Sequence, residues 1–340
     1  MSKIDFVITW VDGSDPQWIA QKNQYDVTRV ESSSLEANST CRYRCDAELL
    51  RYWFRSVEAF APWVNAIFFI TCGQKPEWLN ENHPKLRIVN HEDYIPERYL
   101  PTFNSNTIEL NVHRIAELSE QFVLFNDDMF LLRPVGPDFF YNHGNPVLAT
   151  DLRYPRAVGY NNWSRLLFND YCVLQRSFNV RKSIWGNRNK WFSPCKLGIK
   201  RSRQNFICYL ANKTIPVGIY GHLIQPHLKS TLEAIWSMHP DVLHTTCAHR
   251  FRSDEQVNQY LLCAWNQAAG RFYPAHESSL GQLIELMPDH MEWTDRAIRE
   301  QRYAQVCLND SPDNSDPDYC SEVILKAFQS ILPRESGFEK

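Results

Sequence analysis

Glycine is scarce in this chain, 12 of 340 residues, about half the ~7% usual in globular proteins. Collagen-like and Gly-rich low-complexity architectures are thereby excluded. The 10 cysteines fall well short of the ~8–10% that marks a disulfide scaffold. The spacings Cys41-x3-Cys45 and Cys307…Cys320 lack the paired C-x2-C form of a zinc site, so free thiols in a reducing compartment are expected. Long apolar runs are missing too. The longest stretch without a charge, Ala59–Gln74, is interrupted by Pro62 and Asn65 and is too short and polar to span a bilayer. The opening MSKIDFVITWVDGSDP has too brief an apolar stretch for a signal peptide and runs into Asp12 and Asp15. A cytoplasmic location is expected, with peripheral association at the inner face of the membrane left open. No P-loop, GxGxxG, GxSxG or HExxH motif occurs.

What is present is ordinary globular composition, 44% hydrophobic and 22% charged, in a length that suits one large domain or two small ones. Aromatic residues reach 13%, with 11 Trp, which supplies faces able to stack on sugars. The net charge of −3 hides an asymmetry. No acidic residue lies between Asp170 and Glu233, and that stretch carries eleven Lys and Arg, leaving −14 on the remainder. A run so long and one-signed is a candidate anion-binding surface.

Residues 4–11, 66–71, 86–90 and 122–125 read as short buried strands. Residues 46–60 and 104–120 have apolar residues at helical spacing. Strands alternating with helices predict an α/β fold, a mostly parallel sheet covered by helices. We expect a core at 1–150, an inserted basic and aromatic subdomain at 151–213 where periodicity fades, and a helical part at 214–340 that completes the site. Helices are expected there at 230–236, at 254–265 behind a Ser253/Gln256 capping box, and at 320–332.

The strongest chemical signal is Asn126-Asp127-Asp128, two carboxylates where a buried strand ends. Ligands of open α/β sheets bind at that edge. Adjacent carboxylates there suit Mg2+ or Mn2+ shared with a diphosphate. Asp12 and Asp15 fall on the same edge, with turn chemistry as the competing account. Glu109 either completes a capping box with Asn106 or faces a substrate together with Ser105. Five histidines crowd 222–249 at spacings that match no zinc pattern, so a single catalytic base is the reading kept. Arg250 and Arg252 precede the helix expected at 254, a natural phosphate site.

Four segments together resemble the Stealth family of sugar-phosphate transferases: IDFVITWVDGSDPQW (4–18); YRCDAELLRYWFRSV (43–57) through FNSNTIELNVHRI to FNDDMFL, ending at 131; GHLIQPHLKS through HRFRSDEQVN (about 221–258); and CLND (307–310). The resemblance implies a glycosyltransferase-A-like core. It also implies transfer of hexose-1-phosphate, such as N-acetylglucosamine-1-phosphate, from a UDP-sugar to a sugar hydroxyl in capsule or cell-surface polysaccharide synthesis, with UMP released. It further implies His227 as catalytic histidine, Arg252 on phosphate, Ser105 and Glu109 at the active-site helix start, and Asp12 in the nucleotide-sugar region. Asp127 and Asp128 match the acidic pair and Asn309 and Asp310 the closing motif, which makes Asp127, Asp128 and Asp310 the metal candidates. Arg44, Arg250 and Asn309 join the expected substrate-binding set. Cys45 and Gln225 depart from the family pattern. The expected partners are a nucleotide-sugar donor and a glycan or lipid-linked glycan acceptor, not nucleic acid. Two rivals stay open: a metal-dependent glycosyltransferase that releases UDP, and a non-enzymatic binder of anionic polymers.

Overall fold

The computed structural model describes residues 3–25, 47–153, 162–211, 217–218, 221–311 and 313–340. Arg44, Lys213, the Cys41–Cys45 spacing and the loop expected at 31–40 lie outside them.

The centre is a five-stranded sheet. Strands β1 (Ile4–Thr9), β2 (Ile67–Thr71), β3 (Leu86–Asn90) and β4 (Gln121–Phe125) run parallel. The strand Gln225–Leu228 pairs antiparallel with β4 and closes that side, giving the spatial order 225–228, β4, β1, β2, β3. Successive strand residues face opposite sides, and both sides are apolar here. Phe6, Ile8, Phe69 and Phe125 join Trp53 and Phe54 of helix α1 (Ala47–Phe60) in one core. Val7, Phe68, Ile70 and Phe122 join Leu232, Ile235, Tyr260 and Leu261 in the other. A parallel sheet covered on both faces has to be apolar on both, which explains why these strands read as continuous hydrophobic runs. Trp53 and Phe54 are fully buried, and truncating either to alanine would cost ~3–5 kcal/mol.

The expected fold class holds, with three local corrections. The helix expected over 104–120 is only Ser105–Leu110, followed by a single 3-10 turn, Val112–Arg114. Asn111 ends it: its side chain donates to Thr107 O at 2.8 Å, the acceptor its own backbone N–H would use in a continuing helix. The helix expected at 254 starts at Tyr260 instead. The preceding backbone is tied to side chains: Val257 N donates to Thr246 Oγ1, Asn258 N to Asp170 Oδ1, and Tyr260 N to Asn258 Oδ1. Finally, 162–211 is largely helical, in five segments. Val173, Leu174, Val180, Ile184, Trp191 and Cys208 bury into the core shared with the sheet.

The C-terminal part is not helical alone. Strands Gln282–Leu286 and Gln305–Asp310 run parallel, and the second pairs antiparallel with Met129–Leu131. Among the described residues Cys307 and Cys320 are free, buried thiols, and no helix is long and apolar enough to cross a membrane.

Candidate active site

β4 ends at Phe125 and the chain turns through Asn126–Asp128 into Met129–Leu131. That short strand pairs Met129 with Cys307, and Leu308 N donates to Asp128 O at 2.8 Å. The C-L-N-D segment is thus laid against the acidic turn although 179 residues separate Asp128 from Cys307. Cys307 Sγ donates to Asp128 Oδ2 at 3.2 Å, and His222 Nε2 stands 3.6 Å from the same oxygen. The other ring nitrogen of His222 is 2.9 Å from Tyr260 OH. Donor-type atoms of Asp128, His222 and Cys307 all lie within 4.8 Å of one another. Burial pushes the Asp128 carboxyl up, but the hydrogen bonds from His222 and Cys307 outweigh it and hold the group below its ordinary range. Its second oxygen, Oδ1, is buried with no hydrogen-bond partner among the described residues. A buried carboxylate oxygen left bare in this way fits a divalent cation.

Across the cleft, the N-cap of the helix Ser105–Leu110 is Asn104, whose side chain accepts from Asn106 N. Glu109 is therefore not the partner of an Asn106 cap. It is buried, with Oε2 unpartnered among the described residues, and burial raises its carboxyl to about 7, against a smaller downward pull from Arg252 and His222. Arg252 Nη2 donates to Ser105 Oγ at 2.7 Å. The irregular loop carrying Arg252 is pinned by Gln256, which is fully buried. Its Oε1 accepts from Asn104 Nδ2 and Asn106 Nδ2, and its Nε2 donates to Phe251 O. Ser105, Glu109, Arg252, Asp127 and Asn126 face Trp10 and Trp18 in a cleft of ≈ 660 Å³ of atom-free space, part of it open to solvent. One cleft thus holds a cationic guanidinium, a carboxyl poised near neutrality, one carboxylate of the acidic pair, Asp127, and two indoles.

His227 is not brought to this cluster. The strand Gln225–Leu228 runs antiparallel to β4, so its start faces the acidic end and its finish the opposite end. His227 pairs with Phe122, three residues short of the end of β4, roughly 10 Å back along the strand. Its ring lies against Phe122 at 5.6 Å. It is fully buried, neither nitrogen has a partner among the described residues, and burial lowers its pKa to about 3. His222, three residues before the strand, takes the position at the edge. The sequence held a signal for this: His227 sits between apolar neighbours within a strand, whereas His222 follows Gly221 ahead of it.

The other expected residues divide. Asp12 Oδ1 accepts from Ser14 N and Oγ at 2.8 and 2.6 Å, and Asp15 Oδ1 from Gln17 N at 2.8 Å, which is turn and cap chemistry. Gln74 ties both to the edge by donating to Asp12 O and Asp15 Oδ2. Arg250 straps its loop rather than lining the cleft, donating to Pro101 O at 2.7 Å with its guanidinium over the Tyr25 ring. Neither arginine precedes a helix start, because the helix begins at Tyr260. Asn309 and Asp310 end the strand Gln305–Asp310, half-buried, and Asp310 Oδ1 accepts from Asn314 Nδ2 at 3.4 Å. Tyr260, which contacts His222, was not singled out in the sequence, and Cys307 and Gln256 were named there only for a cysteine spacing, a segment match and a helix cap.

Two conserved regions of the Stealth proteins match this chain, region 1 over residues 2–26 and region 2 over residues 42–148. The capsular polysaccharide phosphotransferase WcwK of Streptococcus pneumoniae is 38% identical over 346 residues, covering 100% of both chains. The receptor polysaccharide phosphotransferase WefC of Streptococcus oralis is 39% identical, again over 100% of both. The chain belongs to the Stealth family. Among solved structures, the galactosyltransferase LgtC with donor and acceptor sugar analogs aligns over 97% of this chain and 95% of its own, at 11% identity and a TM-score of 0.41.

Proposed function

We propose that this protein is a polysaccharide phosphotransferase that moves hexose-1-phosphate, with N-acetylglucosamine-1-phosphate the first to test, from a UDP-sugar to a hydroxyl of a glycan or lipid-linked glycan. The full-length likeness to WcwK and WefC supports the class. The observation that carries the chemistry is the convergence of Asp128, His222, Glu109 and Arg252 at one strand edge.

The acceptor oxygen attacks the sugar-proximal phosphorus. A P–O bond forms there, the bond to the bridging oxygen breaks, and UMP leaves. The acceptor proton must go to a base, and His222, oriented by Tyr260 OH and 3.6 Å from the Asp128 carboxylate, replaces His227 in that role. Arg252, held by Ser105, places two-pronged positive charge where phosphate oxygens gain charge. The tryptophans Trp10 and Trp18 supply stacking faces in the cleft. Asp128, with Asp127 and Asp310 as further oxygen donors, would hold the Mg2+ or Mn2+. When bound, that ion neutralises diphosphate charge. Capsule or cell-surface polysaccharide synthesis at the cytoplasmic face of the membrane is the proposed setting.

The test is the nucleotide product. Purified protein, UDP-N-acetylglucosamine and a glycan acceptor should release UMP and yield a phosphodiester signal in phosphorus NMR. Stoichiometric UDP with a phosphorus-free product would establish the glycosyltransferase reading instead.

A further inference from the structure

The helix Ile199–Ala211 is fastened by one face. Ser202, Asn205 and Cys208 are buried. Asn205 accepts from Leu152 N through Oδ1 and donates from Nδ2 to Thr150 O and Trp191 O, so the helix cannot roll. The face turned outward is therefore fixed, and it is apolar where a solvent face should be polar. Ile199 is 77% exposed, Leu210 61%, Ile207 52% and Phe206 40%. Positions 199, 203, 207 and 210 form one stripe at helical spacing. Trp185, itself half exposed, adjoins the stripe by stacking on Tyr209 at 5.7 Å. Of the eleven large hydrophobic side chains that are exposed among the described residues, five are these.

The polar members of the same face are cations. Lys200 and Arg203 are exposed on the helix, and Lys196 just before it. All lie in the stretch from 171 to 232 that has no acidic residue. A basic face interleaved with Ile, Leu, Phe and Trp is the signature of a segment that lies in a bilayer interface. Anionic lipid attracts the cations, and the apolar stripe enters the acyl boundary. A partner protein would satisfy the apolar stripe but would not by itself call for a one-signed charge span of this length.

We infer that the outward face of Ile199–Ala211, with Trp185, docks the protein on an anionic lipid surface. The inference stands apart from the transfer chemistry, since it needs neither donor, metal nor His222. It assigns part of the basic stretch to lipid headgroups. Arg201 is not part of it, because Arg201 pairs with the buried Asp151.

Flotation of the full chain with vesicles tests it. Vesicles of phosphatidylglycerol and phosphatidylcholine should carry the protein up, pure phosphatidylcholine should not, and raised salt should weaken the binding. The pair Ile207→Gln and Leu210→Gln should lower binding by more than about tenfold. The pair Lys200→Glu and Arg203→Glu should do the same and remove the salt dependence. Circular dichroism checks that these surface variants fold. No flotation of the wild type, equal flotation of wild type and variants, or a wild type whose stripe is instead consumed in a dimer by sedimentation would each overturn the inference. UMP release from a short soluble acceptor should be unchanged in both pairs; a matching loss there would reassign the face to acceptor binding.

Discussion

The acidic edge of the sheet and the helical flank at 162–211 break opposite rules of burial. At the edge, polar groups are buried without partners among the described residues: Asp128 Oδ1 and Glu109 Oε2. On the flank, apolar groups are exposed without cover: Ile199, Ile207 and Leu210. Each costs the isolated chain free energy, and each becomes favourable only with something bound. The difference between the two costs indicates the kind of ligand. Bare buried carboxyls call for a cation or a proton-transfer partner inside a cleft. A bare apolar stripe among cations calls for an extended surface outside it.

The largest effect expected is at the edge. Asp128→Asn should lower turnover by about 10³-fold or more while the protein still folds, because it removes charge where phosphate charge develops. Near-normal turnover in that variant, measured with UDP-sugar donor, would remove Asp128 from the chemistry and weaken the contrast at its root.

The two histidines give a finer test, since they lie five residues apart on opposite sides of the strand start. His222→Asn should cost about 10²–10³-fold in turnover and change the pH profile of kcat. His227→Leu should leave turnover nearly intact. It should also hold stability within ~1 kcal/mol, because the ring makes no hydrogen bond among the described residues that would be lost and sits against Phe122. The reverse result would return the base to His227 and require the strand to slip.

Glu109 sharpens the comparison through pH. Its folded pKa, about 7, lies above the ordinary 4.5. Below pH 4.5 both folded and unfolded chains carry the proton and the group costs nothing. Between 4.5 and about 7 the unfolded chain releases the proton first, so stability is lost as pH rises through that window. Glu109→Gln should thus gain on wild type between pH 5 and 8, by an amount on the order of 1–3 kcal/mol. Denaturant melts at the two pH values measure it. A pH-independent difference would place Glu109 in a more hydrated setting.

The two regions also differed in how far the sequence revealed them. β1, β2, β3, β4 and α1 were legible within a residue or two because strand and helix periods persist over whole elements and both sheet faces are apolar. The acidic pair was legible because it follows β4 directly. Cys307 was not, since nothing local says that a strand 179 residues away returns to Asp128. His222 and His227 were both visible, but choosing between them needed the direction and register of Gln225–Leu228, which are tertiary facts. The flank stayed opaque for a local reason. Three of its five helices are only four to seven residues long, cut at Asn179, Asn187, Ser193 and Gly198, and 199–211 buries Ser202 and Asn205 while its large apolar residues face outward, which inverts the pattern that hydrophobic spacing reads.

The smallest expected effect concerns how the flank's charges are spent. If its cations mainly served to pair with the acidic remainder of the chain, removing one such pair should be felt in stability. Arg176 and Asp241 form an ion pair at 3.3 Å, both side chains more than half exposed. Water screens such a pair, and ordering two long side chains offsets the attraction, so it should contribute under ~0.5–1 kcal/mol. Arg176→Ala should accordingly shift the denaturant midpoint by little, and raised salt should shrink even that difference. A loss of ~2 kcal/mol or more would mean that internal pairing consumes the flank's charge, leaving less of it for a surface outside. A negligible loss leaves the exposed cations Lys200 and Arg203 to be accounted for outside the fold, and lipid binding by the 199–211 face is then the measurement on which their purpose turns.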